Sequence, residues 1–100
     1  MNLQNEFDPI RAWAQARGIY EKGEIKTQTI KLFEEAGELS KAVLNNDKDE
    51  IIDAIGDCVV VLVSVAHFSG VSIETCINTA YDVILKRSGK MINSTFVKDK

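Results

Sequence analysis

The chain has 100 residues, 45% of them apolar and 27% charged, with a formal net charge of −3 and a pI near 5.1. That is the size and composition of one folded domain, too apolar for disorder, and its acidic balance argues against nonspecific nucleic-acid or membrane binding, which needs a basic surface. Cys58 and Cys76 sit in apolar contexts and read as reduced core thiols, and MNLQNEFDPIR shows no basic-then-apolar leader, so the expectation is a single domain, 1–100, in the cytoplasm.

In chain order, Asp8-Pro9 reads as an N-cap followed by the first residue of a helix. Ile10, Trp13, Ala14 and Arg17 recur at helical spacing, and Gly18 is a C-terminal stop. GIYEKGEIKT, 18–27, reads as a loop. The second helix is expected from about Ile25 to Leu44, with Ile25, Thr29, Leu32, Ala36, Leu39 and Val43 as its apolar stripe, flanked by Phe33 and Ser40. The NND run at 45–47 breaks it, and Asp47 with Glu50 resembles a capping box.

DEIIDAIGDCVVVLVSVAHF, 49–68, is ambiguous at first sight, because its β-branched run suits a buried strand. Length favours a helix, and so does the placement of Glu50, Asp53, Asp57 and Ser64 on one helical face. Being apolar nearly all round, it is expected in the middle of a bundle. The longest apolar run, Cys58–Phe68, falls short of the ~20 residues of a membrane span. Gly70 ends this helix. Ser72 caps a fourth, with Ile73, Ile77, Ala80, Tyr81 and Ile84 inward and Gly89 as its end. The tail, KMINSTFVKDK, is short and mixed. Short connections predict antiparallel neighbours in a compact four-helix bundle of the all-α class. A short chain with so apolar a central helix favours a homodimer or homotetramer.

Glu34, Glu35 and Glu38 lie within about one turn of the second helix, Glu35 at the edge of its apolar stripe, and Asp53 and Asp57 are i,i+4 neighbours on the third. Paired carboxylates facing one seam make a hard oxygen site that suits Mg²⁺ or Mn²⁺. The first group also fits a solvated face with Lys31 or Lys41 as partner, and Glu50 also fits the capping box. Asp53 and Asp57 on a buried helix would cost several kcal/mol unless paired or metal-bound, roughly the penalty for unpaired buried charge. His67 and Trp13 read as packing residues, and Lys86, Arg87 and Lys90 also fit cations complementing a helix C-terminus. The alternative to an enzyme is a noncatalytic helical dimerisation module with a solvated acidic face. A Ca²⁺ sensor is disfavoured because no EF-hand loop is present.

EEAGE (34–38), followed at short distance by DAIGD (53–57) leading an apolar helix, resembles the MazG-type all-α nucleotide pyrophosphohydrolases, which carry EExxE and then ExxD. Trp13, Arg17, Gly18 and Ile19 resemble the W-x3-RGI of short members, and AYDVILKRSGKM (80–91) resembles their AYN-x4-R-x-GKM ending. The resemblance implies Mg²⁺-dependent hydrolysis of a nucleoside triphosphate to the monophosphate and pyrophosphate. It assigns Glu34, Glu35, Glu38 and Asp57 to the metal; on physical grounds either Glu35 or Glu38 can hold the attacking water as general base. Ala54 stands where the ExxD glutamate would be, so either Asp53 or Glu50 takes its place. Asp82 stands at the asparagine. Trp13, Lys31, Asp82, Lys86, Arg87 and Lys90 are the substrate-binding candidates, the last two facing phosphates.

Overall fold

The computed structural model describes residues 4–100; residues 1–3, part of the segment read as leaderless, lie outside them. The described elements are α1 (Gln4–Ala16), α2 (Ile19–Lys22), α3 (Ile25–Leu44), α4 (Lys48–Phe68), α5 (Ile73–Leu85), β1 (Gly89–Ile92) and β2 (Thr95–Lys98). The chain is all-α apart from that small hairpin. The four long helices are those read from the sequence; α2 is an extra turn within the segment expected as loop. The radius of gyration is 15.8 Å, above the ~13 Å of a tightly packed domain of this length, so the fold is more open than the compact bundle expected.

Helix α1 begins at Gln4, not at an Asp8 cap. Pro9 lies inside it and removes only the bond that the carbonyl of the exposed Asn5 would accept. Asp8 instead pairs with Arg11, at 2.6 Å.

Helices α3 and α4 form the central hairpin. Asn46 adopts a left-handed conformation (φ 53), the Asn46 N–H donates to the carbonyl of Val43 and the Asp47 N–H to that of Ala42. This closes α3 with a Schellman turn. Asp47 then caps α4 by accepting from the backbone N–H of Glu50 at 3.2 Å. The reciprocal half of the expected capping box is absent, because the Asp47 N–H is already spent on Ala42.

The buried face of α3 is rotated from the stripe expected. Gln28, Leu32, Glu35, Leu39 and Ala42 are buried or half-buried, while Ile25, Thr29, Ala36 and Val43 are exposed and Phe33 is 75% exposed. The 28-32-35-39-42 spacing follows the helical repeat more closely than the apolar residues do. Glu35 therefore lies within the seam, not at its edge.

Helix α4 is central, as expected. Its other side meets α1 and α5 in a core of Phe7, Val63, Ala66 and Ile73, with Ile10, Val59 and Ile77 packed against it. By length and composition alone α4 could cross a membrane; here it packs against α1, α2, α3 and α5. His67 is exposed, its ring stacked on Tyr20 at 3.6 Å, and Cys76 is exposed. Neither is the core residue expected; Cys58 is half-buried.

Helix α5 is capped by Ser72, which accepts from the Thr75 N–H. It ends at Leu85 with Lys86 as its cap, short of Gly89. Ile73 is buried and Ile77 half-buried, but Ala80, Tyr81 and Ile84 are exposed, because α5 meets α4 only through its first turns. Arg11 fixes that end. Its Nη1 and Nη2 donate to the two Glu74 oxygens at 2.7 and 2.6 Å, a bidentate pair. The Arg11 hydrogen bond holds the Glu74 carboxyl below its ordinary value of 4.5. A depressed folded-state pKa contributes stability that is present above 4.5 and lost as pH falls through the folded value. Glu74→Gln should lower the melting temperature by a few degrees at pH 7, and thermal melts should show that deficit vanishing under acid conditions.

The tail forms an antiparallel hairpin, with Lys90 opposite Val97 and Met91 opposite Phe96. Asn93 and Ser94 both have positive φ (51 and 67), the two-residue turn that suits a hairpin's twist. Ser88 Oγ donates to Asp99 and the Asp99 N–H to the Ser88 carbonyl, both at 2.8 Å, closing its base. A side chain at Gly89 would collide with the Val97 carbonyl and sit 2.6 Å from the Phe96 ring and 2.8 Å from the Lys98 Cα. Backbone cannot yield there without unpairing. Gly89→Ala should abolish the Met91–Phe96 cross-strand proton contacts in NMR while leaving the helical circular dichroism unchanged.

Candidate metal and nucleotide site

The seam between α3 and α4 brings Glu35, Glu38 and Asp57 together: one carboxylate oxygen of each lies within 4.8 Å of the others. Glu35 comes from the buried face of α3, Glu38 from one turn on, and Asp57 from the half-buried middle of α4. Glu35 is only 8% exposed, and its Oε2 is buried with no hydrogen-bond partner. Burial pushes its pKa up, and the negative charges of Glu38, Asp57 and Glu34 push it further, with Lys31 opposing. Lys31 Nζ is 3.6 Å from Glu35 and 3.9 Å from Glu34.

This donor set fits a hard divalent cation. Octahedral ligands at about 2.1 Å stand ~3–4 Å apart, so small rotamer changes would close the three oxygens around an ion. An orphaned buried carboxylate oxygen is costly unless something binds it.

Two shallow crevices flank the group. One is lined by Pro9, Ile10, Trp13, Asp57 and Val60. The other, of about 220 Å³, includes Trp13, Gln28, Lys31, Glu35, Asp57 and Ser64. Trp13 is thus a half-exposed wall beside the acids, not a packing residue. Gln28 and Ser64 were not singled out as site residues; the signal for Gln28 was its seven-residue spacing from Glu35 on the seam face.

The remaining candidates lie elsewhere. Glu34 is exposed and pairs with Lys31. Asp53 is exposed and outside the three-carboxylate group, so the cost expected of a buried charge does not apply to it. Glu50 is exposed and lines a polar cleft with Lys41, Asn45 and Asp47 that touches the three-carboxylate group only through Glu38. Ala54, at the position of the ExxD glutamate, is buried. Asp82, Lys86, Arg87 and Lys90 are exposed on α5 and the segment after it, and none lines either crevice.

The family model for the MazG nucleotide pyrophosphohydrolase domain matches residues 24–92, a span that begins just before α3 and ends with β1. The chain belongs to that family. It is also 45% identical, over 65 residues, to an uncharacterized 18.2 kDa protein from the rep-hol intergenic region of Haemophilus phage HP1. That match takes in 65% of this chain and 40% of the phage protein. No solved structure matches.

Proposed function

We propose that the chain is a Mg²⁺-dependent hydrolase that converts a nucleoside triphosphate to its monophosphate and pyrophosphate, with Mn²⁺ as a workable substitute. The observation that carries this reading is Glu35, a glutamate held in a helix seam with an unpartnered oxygen, beside two further carboxylates. A noncatalytic dimerisation module would have no use for that arrangement, which destabilises the fold in the absence of a ligand.

Glu35, Glu38 and Asp57 would hold the cation, with Asp53 one helical turn from Asp57 as a further donor within reach of solvent. The ion would supply neutralising charge to the triphosphate and make water more acidic. Phosphoryl transfer is mostly positioning plus charge neutralisation. Trp13 offers a flat face on which a base can stack. Glu38, exposed and free to change rotamer, can accept the proton of the attacking water. Lys31 limits the repulsion among the acids before substrate arrives. Arg87 and Lys90 would offset charge on the phosphates.

The test is a panel of ribo- and deoxyribonucleoside triphosphates incubated with the protein and Mg²⁺ and followed by phosphorus NMR. Monophosphate and pyrophosphate should appear for at least one base, and EDTA should stop them. A folded protein that releases neither, or that yields diphosphate and orthophosphate, contradicts the reading.

A further inference from the structure

Two neutral polar side chains in the seam crevice have no use in the metal site. The hydroxyl of Ser64 and the amide of Gln28 both line that crevice, and neither makes a side-chain hydrogen bond among the described residues. Ser64 is the more telling of the two. Ser40 in α3 and Ser69 at the end of α4 each donate to the carbonyl four residues back, at 3.1 and 2.8 Å, the usual local outlet for a hydroxyl on a helix. Ser64 does not, although it is only 3% exposed. Gln28 is half-buried two turns before Glu35, on the same face of α3. Buried polar groups are costly until something binds them.

The rest of the crevice suits a flat ring. Trp13 forms one wall, and the Arg17 guanidinium lies over its ring, 5.9 Å from the centroid. That leaves one indole face to stack on a ligand. Val61, one turn before Ser64 on the central helix, is buried, so the floor cannot easily recede. The crevice holds about 220 Å³, below the ~300–1,000 Å³ of pockets that take drug-sized ligands. It is the size for one ring, not for two fused rings. Glu35 and Asp57 line the same crevice, so a ring seated there carries its phosphates beside the acids.

We propose that Gln28 and Ser64 read the edge of a nucleobase stacked on Trp13, and that they select pyrimidine nucleotides over purine nucleotides. A primary amide offers one acceptor and two donors, and a hydroxyl offers both functions. Together they match the neighbouring donor and acceptor groups along a pyrimidine edge. A site built to hydrogen-bond its ligand rejects ligands that leave its own buried groups unpaired. That the ligand is a nucleotide rests on the hydrolase reading; the selection by these two residues is the new step.

Trp13 is the only tryptophan in the chain, so its fluorescence reports a ligand at this wall without turnover. Titrations with uridine, cytidine, adenosine and guanosine monophosphates, in Mg²⁺, should show the pyrimidine nucleotides quenching it at concentrations at least tenfold lower than the purine nucleotides. Gln28→Leu and Ser64→Ala, each checked for helicity by circular dichroism, should weaken pyrimidine nucleotide binding about tenfold and bring the pyrimidine-to-purine ratio below threefold. No quenching by any of the four, equal affinity of wild type for both classes, or variants that keep the wild-type ratio would overturn the inference. Each of these results can occur while monophosphate and pyrophosphate are still released. Selective quenching can equally occur in a protein that hydrolyses nothing, so the inference and the hydrolase reading fail separately.

Discussion

Glu38→Gln should lower nucleoside triphosphate hydrolysis at least 100-fold, a barrier increase of about 2.7 kcal/mol, with little change in folding. Glutamine keeps the size and helix propensity of glutamate. Glu38 is exposed, so losing its charge creates no buried defect, yet its oxygen is one of the three that converge. Asp57→Asn should cause a loss of the same order. Asp53→Asn should cost much less, about tenfold or under, because Asp53 is exposed and stands outside the group. Steady-state rates with saturating Mg²⁺ decide between them, and equal losses for Asp53 and Asp57 would mean that the ion binds further along α4.

Glu35→Gln should make the metal-free protein more stable, raising its melting temperature by about 5 °C, the shift that roughly 1 kcal/mol produces in a domain of this size. The substitution removes a charge that burial and three acidic neighbours oppose. The pH dependence follows. A carboxyl whose folded-state pKa is raised carries no penalty below 4.5, its ordinary value, and accumulates one as pH rises through the raised value. The gap between variant and wild type should therefore widen from pH 4 to pH 7. Millimolar Mg²⁺ should close it from the other side, stabilising wild type by mass action and leaving Glu35→Gln nearly unmoved. Melting curves at matched ionic strength measure both, and a destabilised Glu35→Gln without metal would count against the electrostatic account.

The long helices were legible because their ends are written in local chemistry: Gly18, Gly70 and the NND run at 45–47 stop helices, and Asp47 and Ser72 cap them. The strand-like CVVVLVSV run, 58–65, resolved correctly as helix because Ser64 shares a helical face with the preceding acids Glu50, Asp53 and Asp57. What failed was the inward direction. Apolar residues line α3 on more than one side, so hydrophobicity alone chose the wrong stripe, and Glu35 was placed at an edge when it sits in the seam. The hairpin was missed although Asn93-Ser94 is an acceptable two-residue turn. Its flanking strands are short and their alternation is broken by lysine. The acidic group was legible as EExxE followed by an aspartate, but which acids converge depends on the relative rotation of α3 and α4, and no single-helix pattern fixes that. The separation of Arg87 and Lys90 from the acids was not legible either, since it depends on where α5 leaves the body.

The central claim is that Glu35, Glu38 and Asp57 form one cation site across the α3–α4 seam. Mn²⁺ titration followed by electron paramagnetic resonance tests it without substrate. Wild type should bind Mn²⁺, Mg²⁺ should displace it, and Glu35→Gln, Glu38→Gln and Asp57→Asn should each weaken binding at least tenfold, about 1.4 kcal/mol, while Glu34→Gln should not. Equal Mn²⁺ affinity in wild type and all three variants would contradict the account.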